Sequence, residues 1–245
     1  MNAKPGKGAI DMPEPQYPTN EGIWSEGRRA EAAYEKVDLG LPYQKAVANF
    51  RAACQGRADF DPAVVFVWGT MQAMAVLNVL KAVEGAFGAA GQDVVRQAIN
   101  QSGYRAAQEM MENSSFPEGL SEAELGSFVT TAINTVLYAS LERPWIAGEK
   151  RYEFDILWCP HQDMYTAFDC RVQRYFVEGM LDAMEDAGLP RSLPVVDKLI
   201  PHGDDHCHFF VQLLEDKQGV NPWRDYSDQL ARRALERLGQ KAEGE

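Results

Sequence analysis

The stretch Arg151-Tyr152-Glu153-Phe154-Asp155-Ile156-Leu157-Trp158 decides the reading of the fold. Before it, apolar residues recur every three or four positions. Within it they recur every second position, with Tyr152, Phe154, Ile156 and Trp158 alternating against Arg151, Glu153 and Asp155. A period of two is the mark of a strand with one buried face. Pro160, which has no N–H to give a ladder, stops it.

Downstream, residues 167–187 return to helical spacing. Phe168, Val172, Tyr175, Phe176, Met180 and Ala183 form an apolar stripe, Arg171, Arg174, Glu178, Asp182 and Glu185 form the wet face, and Gly188 is the C-terminal stop. Residues 193–202 and 206–214 then read as a hairpin around Gly203-Asp204-Asp205.

Upstream the chain is helical. Asp61 and Pro62 are a strong helix start, and the run from Ala63 to Leu80 carries no charge and is apolar nearly all round, so it is expected to be a central, buried helix. The sequence Gly88-Ala89-Ala90-Gly91 breaks it, and a second amphipathic segment follows through Met111 with Gly103 inside. Ser121 and Glu124 have capping-box spacing at the head of a helix that ends before Pro144.

The class is therefore α+β, a helical N-terminal half packed on a small antiparallel sheet built from a strand-helix-strand-strand C-terminal half. Residues 1–20, rich in Pro and Gly, read as a disordered or draped arm before a polar segment at 26–36. Residues 21–245 read as one domain, with a helical part at 41–142, a sheet part at 150–215 and a terminal helix at 227–238.

A net charge of -12 and the lack of any Lys/Arg block argue against nucleic acid as a partner. Four scattered cysteines and an N-terminus without an apolar h-region point to the cytoplasm, and the polar-dotted apolar run reads as core rather than as a membrane span. Neither that run nor the charge decides between a monomer and a homodimer. No Gly-x-Gly-x-x-Gly, Gly-x-Ser-x-Gly or Cys-x-x-Cys occurs, so dinucleotide-binding, serine hydrolase and thioredoxin readings have no support.

Three of the four histidines, His202, His206 and His208, crowd around the Gly203-Asp204-Asp205 turn. On the last strand Cys207, Phe209, Val211 and Leu213 share one face, and His206 and His208 share the other. If the turn is a three-residue loop, His202 pairs with His206 and all three imidazoles meet, a set able to hold a divalent ion such as Zn, Mn or Fe with a position open for water. A two-residue loop dissolves the set. At the other strand end, Cys159 is a candidate nucleophile, with His161 and Asp163 close enough in sequence to serve as base and orienting acid. Buried as a small hydrophobe, Cys159 would instead be inert. The surrounding aromatics can line a pocket for a planar organic ligand or simply fill the core.

The strand ending in Cys159-Pro160, the helix containing Gly179, and the closing Gly203-Asp204-x-x-Cys207-x-Phe209 resemble the L-2-amino-thiazoline-4-carboxylic acid hydrolase family. The closing motif is also similar to the end of the 4-vinyl reductase small-molecule-binding domain. The resemblance covers roughly the last hundred residues before the terminal helix. It implies an α+β domain and a small-molecule enzyme that hydrolyses C–N bonds in a heterocyclic or aromatic compound, with Asp204 joining Cys159, His161 and Asp163 in the candidate catalytic set. His161, His206 and His208 are not part of that pattern. The alternatives are a lyase acting on an aromatic compound and a non-catalytic ligand-binding domain of the 4-vinyl reductase type.

Overall fold

The computed structural model describes residues 40–215 and 221–242, so the expected arm at 1–20 and the polar segment at 26–36 lie outside the described residues. A short helix α1 (Gln44–Phe50) leads to a long helix α2 (Ala63–Glu112), whose start is capped where the Ala63 N–H donates to Asp61 Oδ1 at 2.9 Å. The glycine break expected near Gly88 is a kink: Gly88 has φ 59° and ψ -143°, and two helices run together across it. Helix α3 (Glu122–Ala132) begins with the expected capping box, the Ser121 hydroxyl accepting from the Glu124 N–H and the Glu124 carboxylate accepting from the Ser121 N–H. Then come strands β1 (Leu141–Gly148) and β2 (Arg151–Trp158), helix α4 (Arg171–Asp186), strands β3 (Arg191–Lys198) and β4 (Cys207–Leu214), and helix α5 (Pro222–Ala242).

The fold is α+β with one antiparallel sheet in the order β1-β2-β4-β3. The sheet has one strand more than the expected three, because β1 occupies residues read as a helix end and a turn. Pro144 ends no helix there; it sits in β1, and Pro194 sits in β3. Both are edge strands, where a missing N–H leaves no neighbour unpaired. The terminal helix starts earlier than expected, with Pro222 at its head and Asn221 Oδ1 accepting from the Trp223 N–H at 2.9 Å.

Two expectations about burial are corrected. The run from Ala63 to Leu80 is not enclosed: Leu77 and Leu80 reach the core, whereas Val64, Val65, Val67, Trp68 and Met71 are exposed. Along that run α2 touches the end of β2 through a Phe66–Trp158 ring contact and the irregular segment after it through the Tyr165 hydroxyl bonded to the Ala73 carbonyl, joined just past the run by the Lys81–Asp169 ion pair. A thin loop covers only one side of a helix. By length and composition α2 is apolar enough to cross a membrane; beyond the kink it is a core helix of the α/β unit, burying Ile99, Ala107 and Met110. The wet face assigned to α4 is also partly buried, since Arg171 and Glu178 are enclosed. The Arg171 guanidinium pairs with Glu84 at 2.7 Å, and Gln92 bonds the same carboxylate at 2.8 Å. A buried charge is tolerable when so paired.

Helices α2 and α4 meet backbone to backbone. A Cβ added to Gly179 would lie 1.9 Å from the Asn100 carbonyl oxygen, and one added to Gly103 would lie 2.1 Å from the Phe176 carbonyl oxygen. No side chain fits between them. We therefore expect Gly179→Ala to destabilise the protein by about 1–3 kcal/mol, the usual cost of overpacking, in chemical denaturation. Gly69→Ala, in α2 with nothing within 4 Å of the new carbon, is expected to be neutral or to stabilise by up to about 1 kcal/mol through helix propensity.

Candidate functional site

Strand β4 divides its side chains between two environments. Cys207, Phe209 and Val211 face a partly open cavity of about 380 Å³ between the sheet, α4 and α5, whereas His206 and His208 face the opposite side of the sheet. The cavity wall is mostly apolar, with Phe154 and Ile156 from β2, Val196 from β3 and Leu181 from α4. Its volume lies within the roughly 300–1,000 Å³ typical of small-molecule pockets.

Polar groups on this wall lack partners. Among the described residues, five buried side-chain polar atoms make no hydrogen bond, and four of them, Tyr138 Oη, Arg171 Nε, Gln173 Oε1 and Arg174 Nε, belong to cavity-lining residues. Buried polar atoms are ordinarily satisfied. Arg174 also has no carboxylate partner among the described residues; its guanidinium lies 3.6 Å from the Trp223 ring centroid and 4.4 Å from that of Tyr226. Burial pushes its pKa down to about 10. Arg233 and Arg237 from α5 stand at the same cavity, likewise without an ion pair among the described residues.

Three of the four thiols, Cys159, Cys170 and Cys207, also line it. Cys159 Sγ lies 3.9 Å from His161 Nδ1, and His161 stacks on Tyr165. Burial pushes the Cys159 thiol up and the His161 imidazole down, so both are favoured in their neutral forms. Asp163 is exposed, and no hydrogen bond or ion pair joins it to His161 among the described residues.

The turn differs from the three-residue loop that would unite the histidines. The ladder breaks after Lys198, which pairs with His208, and residues 199–206 form the connection, with a single 3-10 turn at Ile200–His202. His202 is carried to the cavity rim and does not join His206 and His208. The motif residues themselves build this connection. Gly203 adopts φ 103°, a left-handed conformation that favours glycine. The Leu199 N–H donates to Asp204 Oδ2 at 2.8 Å, and the Ile200 N–H donates to Cys207 Sγ at 3.3 Å. Asp204 and Cys207 thus act as acceptors for the turn.

On the outer face, the partner of His206 and His208 is Asp155 of β2, which sequence reading assigned only to a strand's polar side. His208 Nδ1 is 2.9 Å and His206 Nε2 is 3.4 Å from Asp155 Oδ1, while Arg143 bonds Asp155 Oδ2 at 2.6 Å. Burial alone would raise the Asp155 carboxyl, but the bonds to Arg143 and His208 prevail and hold it below its ordinary value. The three ligand-capable atoms lie within 4.8 Å of one another. The cross-strand register opposes Asp155 to His208, a fact the alternation alone does not disclose.

No protein-family model matches the chain. An uncharacterized protein of Archaeoglobus fulgidus is 45% identical over 218 residues, spanning 86% of this chain and 95% of the archaeal one. A trafficking protein particle complex subunit 3 from Naegleria fowleri, solved covalently bound to palmitic acid, is similar in structure with a TM-score of 0.40 and 13% identity, over 61% of this chain and 96% of that one. A likeness that faint says nothing about this chain's activity.

Because burial raises the pKa of Cys159, Cys170 and Cys207, with Cys170 pushed up to about 12, little thiolate is present at neutral pH. Alkylation by iodoacetamide, followed by peptide mass spectrometry, is expected to mark Cys54 first at pH 7.5. Labelling of the other three should rise only as pH is taken above the ordinary thiol range. Rapid labelling of Cys159 at neutral pH would contradict this.

Proposed function

The chain belongs to the same protein family as the uncharacterized Archaeoglobus fulgidus protein, and we propose that it binds a small apolar organic acid in the cavity between its sheet and α4. One observation carries the reading: Arg174, a half-buried arginine with an enclosed, unbonded Nε and no carboxylate partner among the described residues, lies on the wall of an otherwise apolar cavity among further unsatisfied polar atoms. An enclosed polar atom without a partner is costly, and an anionic ligand group would satisfy it with charge-assisted hydrogen bonds. Phe154 and Phe209, stacked on each other with centroids 4.8 Å apart, together with Val196 and Leu181, offer apolar surface for the rest of the ligand. Tyr138 and Gln173 add a donor and an acceptor that fix its orientation.

The probe is 2-naphthoate, compared with the uncharged 2-naphthylmethanol by calorimetric titration. Wild-type protein is expected to prefer the carboxylate by about tenfold or more, a difference of one charge-assisted bond. Arg174→Met, which keeps an apolar stem against Trp223, should erase that preference while the ligand-free protein melts at the same temperature or higher. Equal binding of both compounds, or a preference that survives Arg174→Met, contradicts the reading.

A second reading, hydrolysis of a C–N bond in such an acid, is supported by the 3.9 Å approach of Cys159 Sγ to His161 Nδ1 on the cavity wall. His161, kept neutral by burial, is in the state that accepts a thiol proton. L-2-amino-thiazoline-4-carboxylic acid, a small acid containing a C=N bond, is the appropriate trial substrate. Turnover that disappears in Cys159→Ser favours this reading; binding without turnover leaves the first.

A further inference from the structure

On the side of the sheet away from the cavity, we propose that Asp155, His206 and His208 form a binding site for a divalent transition ion of the Zn²⁺ type, held by two imidazole nitrogens and one carboxylate oxygen. Three features support it. The first is spacing. Around a tetrahedral ion with bonds of about 2.0–2.1 Å, neighbouring ligand atoms stand about 3.3 Å apart. His206 Nε2 and His208 Nδ1 lie 3.4 and 2.9 Å from Asp155 Oδ1, close to that separation, and all three atoms lie within 4.8 Å of one another.

The second is what stands behind each imidazole. The nitrogen that does not face Asp155 faces another carboxylate: His206 Nδ1 is 2.7 Å from Asp205 Oδ1, and His208 Nε2 is 3.6 Å from Glu153 Oε2. A ligating histidine commonly gives its remaining N–H to a carboxylate, which fixes the tautomer and raises the basicity of the ligating nitrogen. Here a carboxylate stands behind each imidazole, within hydrogen-bond distance for His206 and at 3.6 Å for His208, so the nitrogens turned toward Asp155 are the ones an ion would take. The third feature is rigidity. Asp155 and His208 are register partners on the two central strands, and Trp145 stacks on the His208 ring with centroids 5.6 Å apart. Arg143 engages the second oxygen of Asp155, leaving Oδ1 for the ion.

Three protein ligands leave a tetrahedral ion one position for water or an exchangeable ligand. Both histidines are partly open to solvent, so an ion can enter. Lys198 is the competitor, because its ammonium rests 3.4 Å from His206 Nε2, on the atom the ion would take. It is exposed and free to swing away.

The test uses untagged full-length protein, stripped with chelator and titrated with Co²⁺ while visible d–d absorption is read, then displaced by Zn²⁺. The expected result is one ion per chain, with His206→Gln and His208→Gln each weakening binding roughly tenfold or more. His202→Gln should leave affinity unchanged, and Lys198→Ala should tighten it several-fold. Should the His206 or His208 variants fail to fold, paramagnetic broadening in the wild type replaces them, with His206 and His208 resonances lost and those of His161 and His202 retained. The proposal is overturned by absence of saturable Co²⁺ binding to the wild type, by equal loss in His202→Gln, or by broadening that spares His206 and His208.

Discussion

The backbone crossing of α2 and α4 through Gly103 and Gly179 sets the depth of everything above it. With each glycine against a carbonyl of the opposing helix, α4 is drawn onto α2 as far as two helices can approach. The gap between α4 and the sheet is what remains. Helix α5 closes that gap from the side, tied by Arg224 to Glu178 and Asp182 of α4 and by Asp228 to Arg96 of α2. A side chain at the crossing would lift α4 toward the sheet and shrink the cavity, so the helix contact and the binding volume are one constraint seen from two sides.

Strand β4 turns that arrangement into two chemistries. Its alternation sends Cys207, Phe209 and Val211 into the apolar cavity and His206 and His208 to the outer face, where β2 supplies Asp155. Within the cavity, burial favours neutral thiols and a neutral His161, while Arg174, Arg233 and Arg237 have no ion-pair partner among the described residues. Outside it, imidazoles and carboxylates satisfy one another. The two sites share a sheet but no residue.

Much of this was legible from spacing. The alternation from Arg151 to Trp158 announced β2, the Ser121–Glu124 box announced α3, and the two faces of β4 were assigned as they stand. What spacing could not give was three-dimensional partnership. Grouping His202 with His206 requires an assumed three-residue turn, and the 3-10 turn at Ile200–His202 instead takes His202 to the cavity rim. Strand β1 was hidden because Pro144 signals a boundary unless the strand is known to be an edge. Arg171 and Arg174 read as solvated because an arginine on a helix looks the same in sequence whether it meets water, Glu84 or the faces of Trp223 and Tyr226. The uncharged run of α2 read as core for the same reason: hydrophobicity measures the tendency to be covered, and what covers a helix is set by its neighbours.

The most direct test of the account is a crystal structure of the protein grown with 2-naphthoate. The account predicts the carboxylate on the Arg174 guanidinium and the rings between the sheet and α4, against Phe154 and Phe209. A ligand bound instead along the exposed Val64–Met71 surface of α2, with the cavity unchanged, would contradict it.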